Sequence, residues 1–365
     1  MSKIRILIVD DSVVVRRTVA DMLSSDPALE VAGTAPNGRI ALAKLPQVNP
    51  DLVLLDVEMP EMNGLETLAA LRKVYPRLPV IMFSRFTQRG ASVTLDALAL
   101  GASDYVTMPE SAGRRALDVP ELREQLLVKI KQLCSLDRGA DKVVGAAARA
   151  TTRVPPRSAL GFNRAQRVAI VAIGASTGGP NALATLLTAL PADCPVPIVI
   201  VQHMPAAFTG LLAERLAAQA AIGVGEGRLG ETLHPGRAWI APGDYHMELT
   251  RDAQQAVRLR LHQGPPENSC RPSVDVLFRS VAEVYGPGTL AVVLTGMGQD
   301  GLRGCERIRE VGGQVLVQDE ATSVVWGMPG LVARADLADE VLALDRLAPE
   351  IVRRVRRGQS LSFPG

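Results

Sequence analysis

Ser176 stands in Gly174-Ala175-Ser176-Thr177-Gly178-Gly179-Pro180, directly after an apolar run. Gly174, Ser176 and Gly178 satisfy a G-x-S-x-G spacing. In that pattern a tight strand-to-helix turn presents a serine, and small neighbours let backbone N–H groups approach an oxyanion. The same turn also reads as a helix N-cap or a Gly-rich phosphate cradle, although it lacks the lysine of a P-loop. His203 follows the next apolar run in Ile200-Val201-Gln202-His203-Met204-Pro205, and Asp300 follows another in Thr295-Gly296-Met297-Gly298-Gln299-Asp300-Gly301. Each has a plain structural explanation: a histidine packed at a strand end, an aspartate capping the helix from Gly301. Taken together, they supply a nucleophile, a base titrating near neutrality and a carboxylate to orient that base, which is what acyl transfer requires. The chain order Ser, His, Asp differs from the Ser, Asp, His of α/β-hydrolases, so the turn does not imply that fold.

A second constellation lies near the N-terminus. Asp10 and Asp11 follow the first apolar run and Asp56 ends the third. Any one of them alone reads as a loop or cap residue. In a doubly wound sheet of strand order 2-1-3-4-5, however, these runs are neighbours at the switch point, where ligands bind. Crowded carboxylates need a cation, and Mg²⁺, held by one or two carboxylates and a phosphoryl oxygen, suits them. With the repulsion screened, Asp56 could attack a phosphoryl donor.

These residues need sheets to hold them. Ile6 to Val9, Leu29 to Ala32, Leu52 to Leu55, Val80 to Phe83 and Tyr105 to Val106 read as strands separated by amphipathic stretches, with a last helix over Glu121 to Leu133. Continuous apolar runs indicate strands covered on both faces, hence a parallel sheet between helices. A second set begins at Arg167. Val168 to Ile173, Ile198 to Val201, Leu290 to Leu294 and Val315 to Val317 read as buried strands, with helices near 180–190, 206–220, 273–285 and 301–310. Arg237 to His262 reads as a hairpin, with a turn at Pro242-Gly243-Asp244. The expected fold class is therefore α/β, with two doubly wound domains: a flavodoxin-like unit and a Rossmann-like parallel sheet carrying a small antiparallel hairpin.

Between them, 134–166 is rich in small residues and basic side chains and reads as a linker. The expected division is 1–133, linker 134–166, second domain 167–357 and a tail at 358–365.

Composition narrows the function classes. Lys and Arg number 40 against 38 Asp and Glu, and aromatic residues are 3%. That leaves neither a strong field for polyanions nor a base-stacking surface. The second domain has 18 basic against 20 acidic residues and no helix-turn-helix pattern, so a DNA-binding output module is disfavoured as well. Cys134, Cys194, Cys270 and Cys305 are too scattered for a zinc knuckle or a redox dithiol and read as free thiols. No histidine has an i, i+4 partner, so no zinc is expected. Apolar runs fall far short of a bilayer span or a signal peptide, so a soluble cytoplasmic protein is expected. A binding protein whose second domain holds a ligand without chemistry is the rival reading.

Residues 1–133 resemble the receiver domain of two-component response regulators. The likeness rests on the paired Asp10-Asp11, on Leu55-Asp56-Val57-Glu58-Met59-Pro60 and on Asn63-Gly64. It implies phosphorylation of Asp56 by a chemotaxis histidine kinase, metal binding by Asp10, Asp11 and Asp56, and a switch hydroxyl at Ser84. Where receivers have a lysine before a proline, this chain has Met108 before Pro109, and a thioether cannot pair with phosphate. Arg85, after Ser84, would either replace that cation or hinder access.

Residues 167–355 resemble the catalytic domain of the chemotaxis protein-glutamate methylesterases. Besides the three segments above, the likeness includes Ile240-Ala241-Pro242-Gly243-Asp244, His246-Met247, Arg271-Pro272-Ser273-Val274-Asp275-Val276-Leu277-Phe278 and Gly327-Met328-Pro329. It implies hydrolysis of glutamyl methyl esters, with deamidation of related glutamines, on the cytoplasmic helices of chemoreceptors. Ser176 would be the nucleophile, His203 the base and Asp300 its orienting acid, with Thr177 and Met297 supporting the oxyanion. No cofactor is implied for the ester chemistry and Mg²⁺ is implied for the receiver. An unphosphorylated receiver would cover the esterase cleft. The residues themselves assign no chemical role to Arg271 to Phe278, which read equally well as helix packing.

Overall fold

The computed structural model describes residues 3–85, 87–108, 120–140 and 167–357. They form two compact units, divided near residue 139.

The first unit alternates strand and helix from its start: β1 (Ile4–Val9), α1 (Val13–Ser24), β2 (Leu29–Ala35), α2 (Gly38–Val48), β3 (Leu52–Asp56), α3 (Gly64–Val74), β4 (Val80–Arg85), α4 (Gln88–Ala99), β5 (Asp104–Met108) and α5 (Pro120–Ala140). The strands pair in parallel in the order β2-β1-β3-β4-β5, as the sequence pattern implies. Every residue of β3 is buried, which explains its unbroken apolar run: helices cover both faces. Polar punctuation sets the helix starts. Ser12 caps α1, and Asn63 and Glu66 form a reciprocal capping box on α3.

One boundary differs from the sequence reading. α5 continues to Ala140, and Cys134, assigned to the linker, is buried with its thiol 3.9 Å from the Asp51 carbonyl oxygen. The small and basic residues after Leu133 do not end the helix, because the apolar spacing carries through Leu133 and Cys134 to complete its buried face. The rest of the expected linker, 141–166, and the tail, 358–365, lie outside the described residues.

The second unit contains β6 (Ile170–Ala175), α6 (Gly179–Thr188), β7 (Ile198–Gln202), α7 (Ala206–Ala217), β8 (Gly223–Glu226), β9 (Arg237–Ile240), β10 (His246–Arg251), β11 (Val257–His262), α8 (Val274–Tyr285), β12 (Thr289–Val293), α9 (Leu302–Glu310), β13 (Gln314–Gln318), α10 (Met328–Arg334), β14 (Glu340–Leu342) and α11 (Leu344–Arg356). Seven strands form a parallel sheet in the order β14-β13-β12-β6-β7-β9-β8. β6, β7 and β12 are entirely buried at its centre. The order reverses where β6 lies between β7 and β12, the switch point at which such sheets gather ligands.

The antiparallel appendage is smaller than expected. β10 pairs only with β11, His246 opposite His262, while β9 joins the main sheet in parallel beside β7. Pro242-Gly243-Asp244 therefore leads from the sheet into the hairpin and is not its tip. Buried side chains of β10 and β11 join those of α8 in one core.

Candidate active site

Ser176 and His203 are the first residues beyond two neighbouring strands. β6 and β7 run in register with Ala175 opposite Gln202, so the next residues of both strands face each other at the carboxyl edge. The His203 N–H donates to the Ala175 carbonyl at 3.1 Å, and the Gln202 amide reaches the Ser176 carbonyl at 2.9 Å, locking the two ends together. Ser176 is half-buried, and the chain turns immediately after it through Gly178 at φ +78° to start α6. From the other side Gly296 presses in: a Cβ there would stand 2.7 Å from the Ser176 Cβ, so only glycine permits this approach. Both polar groups of the Gly296 backbone are spent on the segment 325–328, whereas the next N–H, that of Met297, donates to no described residue. Thr177 is buried, and its carbonyl accepts the Thr295 hydroxyl at 2.9 Å, which ties the serine turn to the loop after β12.

Asp300 completes the group. Its Oδ2 lies 2.8 Å from His203 Nε2. The same carboxylate accepts from the N–H groups of Val274 (2.6 Å) and Asp275 (3.1 Å), the Ser273 hydroxyl (2.8 Å) and the Asn268 amide (2.9 Å). Two of these donors open α8, where unpaired N–H groups favour an anion. Burial works against the charge on Asp300, but the His203 and α8 contacts outweigh it and hold the carboxyl at about 2. Burial likewise opposes a charge on His203, and its bonds to Asp300 and then Cys270 more than compensate, raising the imidazole above its ordinary range.

The sequence reading brought Ser176, His203 and Asp300 to one sheet edge, and the structure joins His203 to Asp300 directly. It contains no hydrogen bond from the Ser176 hydroxyl to His203 or any other described residue. With Nε2 facing Asp300, the ring nitrogen left for proton transfer is Nδ1, and Cys270 Sγ lies 3.6 Å from it.

Four supporting residues were not singled out. Ser273 and Asn268 hold Asp300, and Cys270 meets His203. His246, set aside as a hairpin residue, is buried; its Nδ1 accepts the Ser273 N–H at 3.2 Å and its Nε2 lies 3.0 Å from the Pro265 carbonyl. The Arg271 to Phe278 stretch thus does more than pack. Asn268, Cys270 and Ser273 come from a loop and a helix start and His246 opens β10, positions where periodicity is silent; among them the signal was a serine preceding an apolar helix.

The expectation of no zinc rested on missing i, i+4 pairs. Ligand atoms of His203, Cys270 and Asp300 do lie within 4.8 Å of one another. Five hydrogen-bond donors already surround Asp300, however, and leave its oxygens little capacity for a metal.

In the first unit, carboxylate oxygens of Asp10, Asp11 and Asp56 lie within 4.8 Å of one another, as the strand order required. Asp10 and Asp56 are buried and Asp11 is exposed. Burial and then the neighbouring Asp10 push Asp56 up to about 7. An all-oxygen donor set under that repulsion fits a hard divalent cation. The side chains of Ser84, Arg85 and Met108 lie outside the described residues. Their backbones pair across β4 and β5, with Arg85 opposite Met108.

Family models match both units: a response regulator receiver domain over residues 6–115 and a CheB methylesterase over 171–351. A protein-glutamate methylesterase/protein-glutamine glutaminase from Trichodesmium erythraeum is 56% identical over 97% of this chain and 100% of its own. The chain belongs to the protein-glutamate methylesterase family. Another family member, from a Nocardioides species, is 51% identical across the whole of this chain and 99% of its own. The crystal structure of the Thermotoga maritima CheB methylesterase catalytic domain aligns at 41% identity and a TM-score of 0.50, covering 51% of this chain and 97% of that one. In this chain the receiver precedes the methylesterase domain. Among the described residues no helix is long and apolar enough to cross a membrane.

Proposed function

We infer that the second domain hydrolyses γ-glutamyl methyl esters on chemoreceptor cytoplasmic helices, and deamidates glutamines there, in the cytoplasm. Ser176 is the nucleophile and His203 the general base. His203 Nδ1 takes the hydroxyl proton, the serine oxygen attacks the ester carbonyl, and the protonated imidazole returns a proton to the departing methanol. Water then repeats the sequence on the acyl-enzyme. Asp300 keeps Nε2 protonated and stabilises the imidazolium, which requires a carboxylate that stays ionised. The Met297 N–H, next to the contact of Gly296 with Ser176, and the Thr177 segment support the oxyanion. The carrying observation is the register of β6 and β7, which sets Ser176 and His203 side by side while Asp300 holds the ring.

The receiver is the regulatory half. Asp56 accepts a phosphoryl group from a chemotaxis histidine kinase. Mg²⁺, held by Asp10, Asp11 and Asp56, would neutralise charge on the phosphoryl oxygens. Phosphorylation shifts activity only as far as it affects two states of the molecule unequally.

Methanol release from methylated receptor tests the reading. Ser176→Ala and His203→Ala should each lower turnover by about 10⁶, the scale of other serine triads. Unchanged release from Ser176→Ala would move the nucleophile elsewhere, and no release from the unaltered protein would favour the binding-protein reading.

A further inference from the structure

Cys270 is held against His203 by a built turn. Glu267 and Cys270 bond each other through both backbones, N to O at 3.1 and 2.9 Å, and the intervening Asn268 and Ser269 are both left-handed, at φ +51° and +61°. A bidentate ion pair from Arg279 to Glu267, at 2.7 and 2.6 Å, fixes one end, and the Asn268 amide bonds Asp275 and Asp300 at 2.9 Å each. Neither residue between the bridged ends is glycine, so the tertiary contacts must hold this conformation. The result is Cys270 Sγ at 3.6 Å from His203 Nδ1, with Nε2 bound to Asp300.

A nucleophile beside a base that is itself oriented by a carboxylate is the general pattern of an activated side chain. Here the thiol has that arrangement, and it meets the ring nitrogen that Ser176 would need. Cys134, Cys194 and Cys305 are buried, whereas Cys270 is half-buried. Burial also raises the Cys194 and Cys305 thiols above the ordinary range, making them poorer nucleophiles.

We propose that Cys270 is a covalent modification site for small soft electrophiles, activated by His203, and that its modification shuts off the esterase by occupying the base. The second clause rests on the function inferred above. With an alkyl halide, the thiol proton passes to His203 Nδ1, an S–C bond forms and the carbon–halogen bond breaks with loss of halide. With hydrogen peroxide, an S–O bond forms as the O–O bond breaks. Sulfur is then oxidised to the sulfenic acid and the peroxide is reduced, leaving as water with the transferred proton.

The test uses the full reduced chain and limiting iodoacetamide, with peptide mass spectrometry on all four cysteines and methanol release on the same samples. Cys270 should label at least tenfold faster than the others, tenfold slower in His203→Ala, and as fast as wild type in Ser176→Ala. Methanol release should fall in proportion to labelling at 270, and the activity of Cys270→Ser should not respond to the reagent. Hydrogen peroxide should give the same loss, reversed by dithiothreitol. A second readout needs no variant: Cys270-alkylated protein should lose labelling of Ser176 by a sulfonyl fluoride. Labelling at 270 no faster than elsewhere, or undiminished in a folded His203→Ala, would overturn the proposal. So would full methanol release or full sulfonyl fluoride labelling after complete alkylation. Untreated protein that releases no methanol defeats the inferred function instead, and the labelling ratios still judge the thiol.

Discussion

The two ring nitrogens of His203 face different partners, and that asymmetry sets the pH at which the site can work. Asp300 favours the imidazolium, so His203 is raised above its ordinary value despite burial. Serine attack needs the neutral ring, whose fraction grows only as pH rises through that raised value. Activity should therefore climb on the alkaline side of about 6.5, the unperturbed histidine value. Asp300→Asn removes the stabilising charge and should move the midpoint down while lowering the maximal rate by about 10⁴, the cost of the same change in another triad. A kcat/KM profile of both proteins checks this, and a wild-type midpoint at or below the ordinary histidine value would contradict it. Ser176, His203 and Asp300 were legible because each follows a buried strand, a position that apolar runs reveal. Asn268, Cys270 and His246 were not, since left-handed turns and side-chain bonds between distant segments leave no period in the sequence.

Helix α8 links the packing of the second domain to its chemistry. Its inner face is buried against the sheet and the β10–β11 hairpin, while its first turn supplies the Val274 and Asp275 N–H groups to Asp300. Ser273 serves both ends of that arrangement: its hydroxyl donates to Asp300 and accepts from the Val276 N–H as the helix cap. Ser273→Ala should cost about 1 kcal/mol of stability through the lost cap, read by urea unfolding. Losing a donor to Asp300 should also move the pH midpoint of methanol release, and Ser273→Thr should restore both. If stability alone falls, the hydroxyl is merely a cap. Helices α6 to α9 and the central strands of this domain could be read from apolar periodicity, but β8, β9 and β14 could not. They have three or four residues each, and β8, reading Gly-Val-Gly-Glu, is partly exposed throughout. Strands that short are selected by the neighbour they pair with, so β9 looked like hairpin until its parallel register with β7 was seen.

Across the whole chain, two units with separate sheets and cores carry separate side-chain clusters, one of carboxylates around Asp56 and the other around His203 and Asp300. Their alternating patterns were visible in the sequence because parallel sheets bury both faces, whereas any influence of one unit on the other depends on surfaces whose residues follow no such rule. The division itself makes the regulatory reading testable. A fragment beginning near Gly161 contains the entire seven-stranded sheet and the described side-chain partners of His203 and Asp300, so it should fold and release methanol alone. If the receiver restrains the esterase, the fragment should match or exceed the unphosphorylated full chain and ignore a small phosphodonor. The full chain should accelerate when the phosphodonor and Mg²⁺ are added, and Asp56→Asn should abolish both that acceleration and the incorporation of phosphate. Removing Mg²⁺ with a chelator should block phosphorylation but leave the basal rate and the fragment untouched, because the metal-fitting carboxylates belong to the first unit alone. Equal rates for fragment, Asp56→Asn and wild type, with and without phosphodonor, would mean that phosphorylation affects both states of the molecule alike and exerts no control.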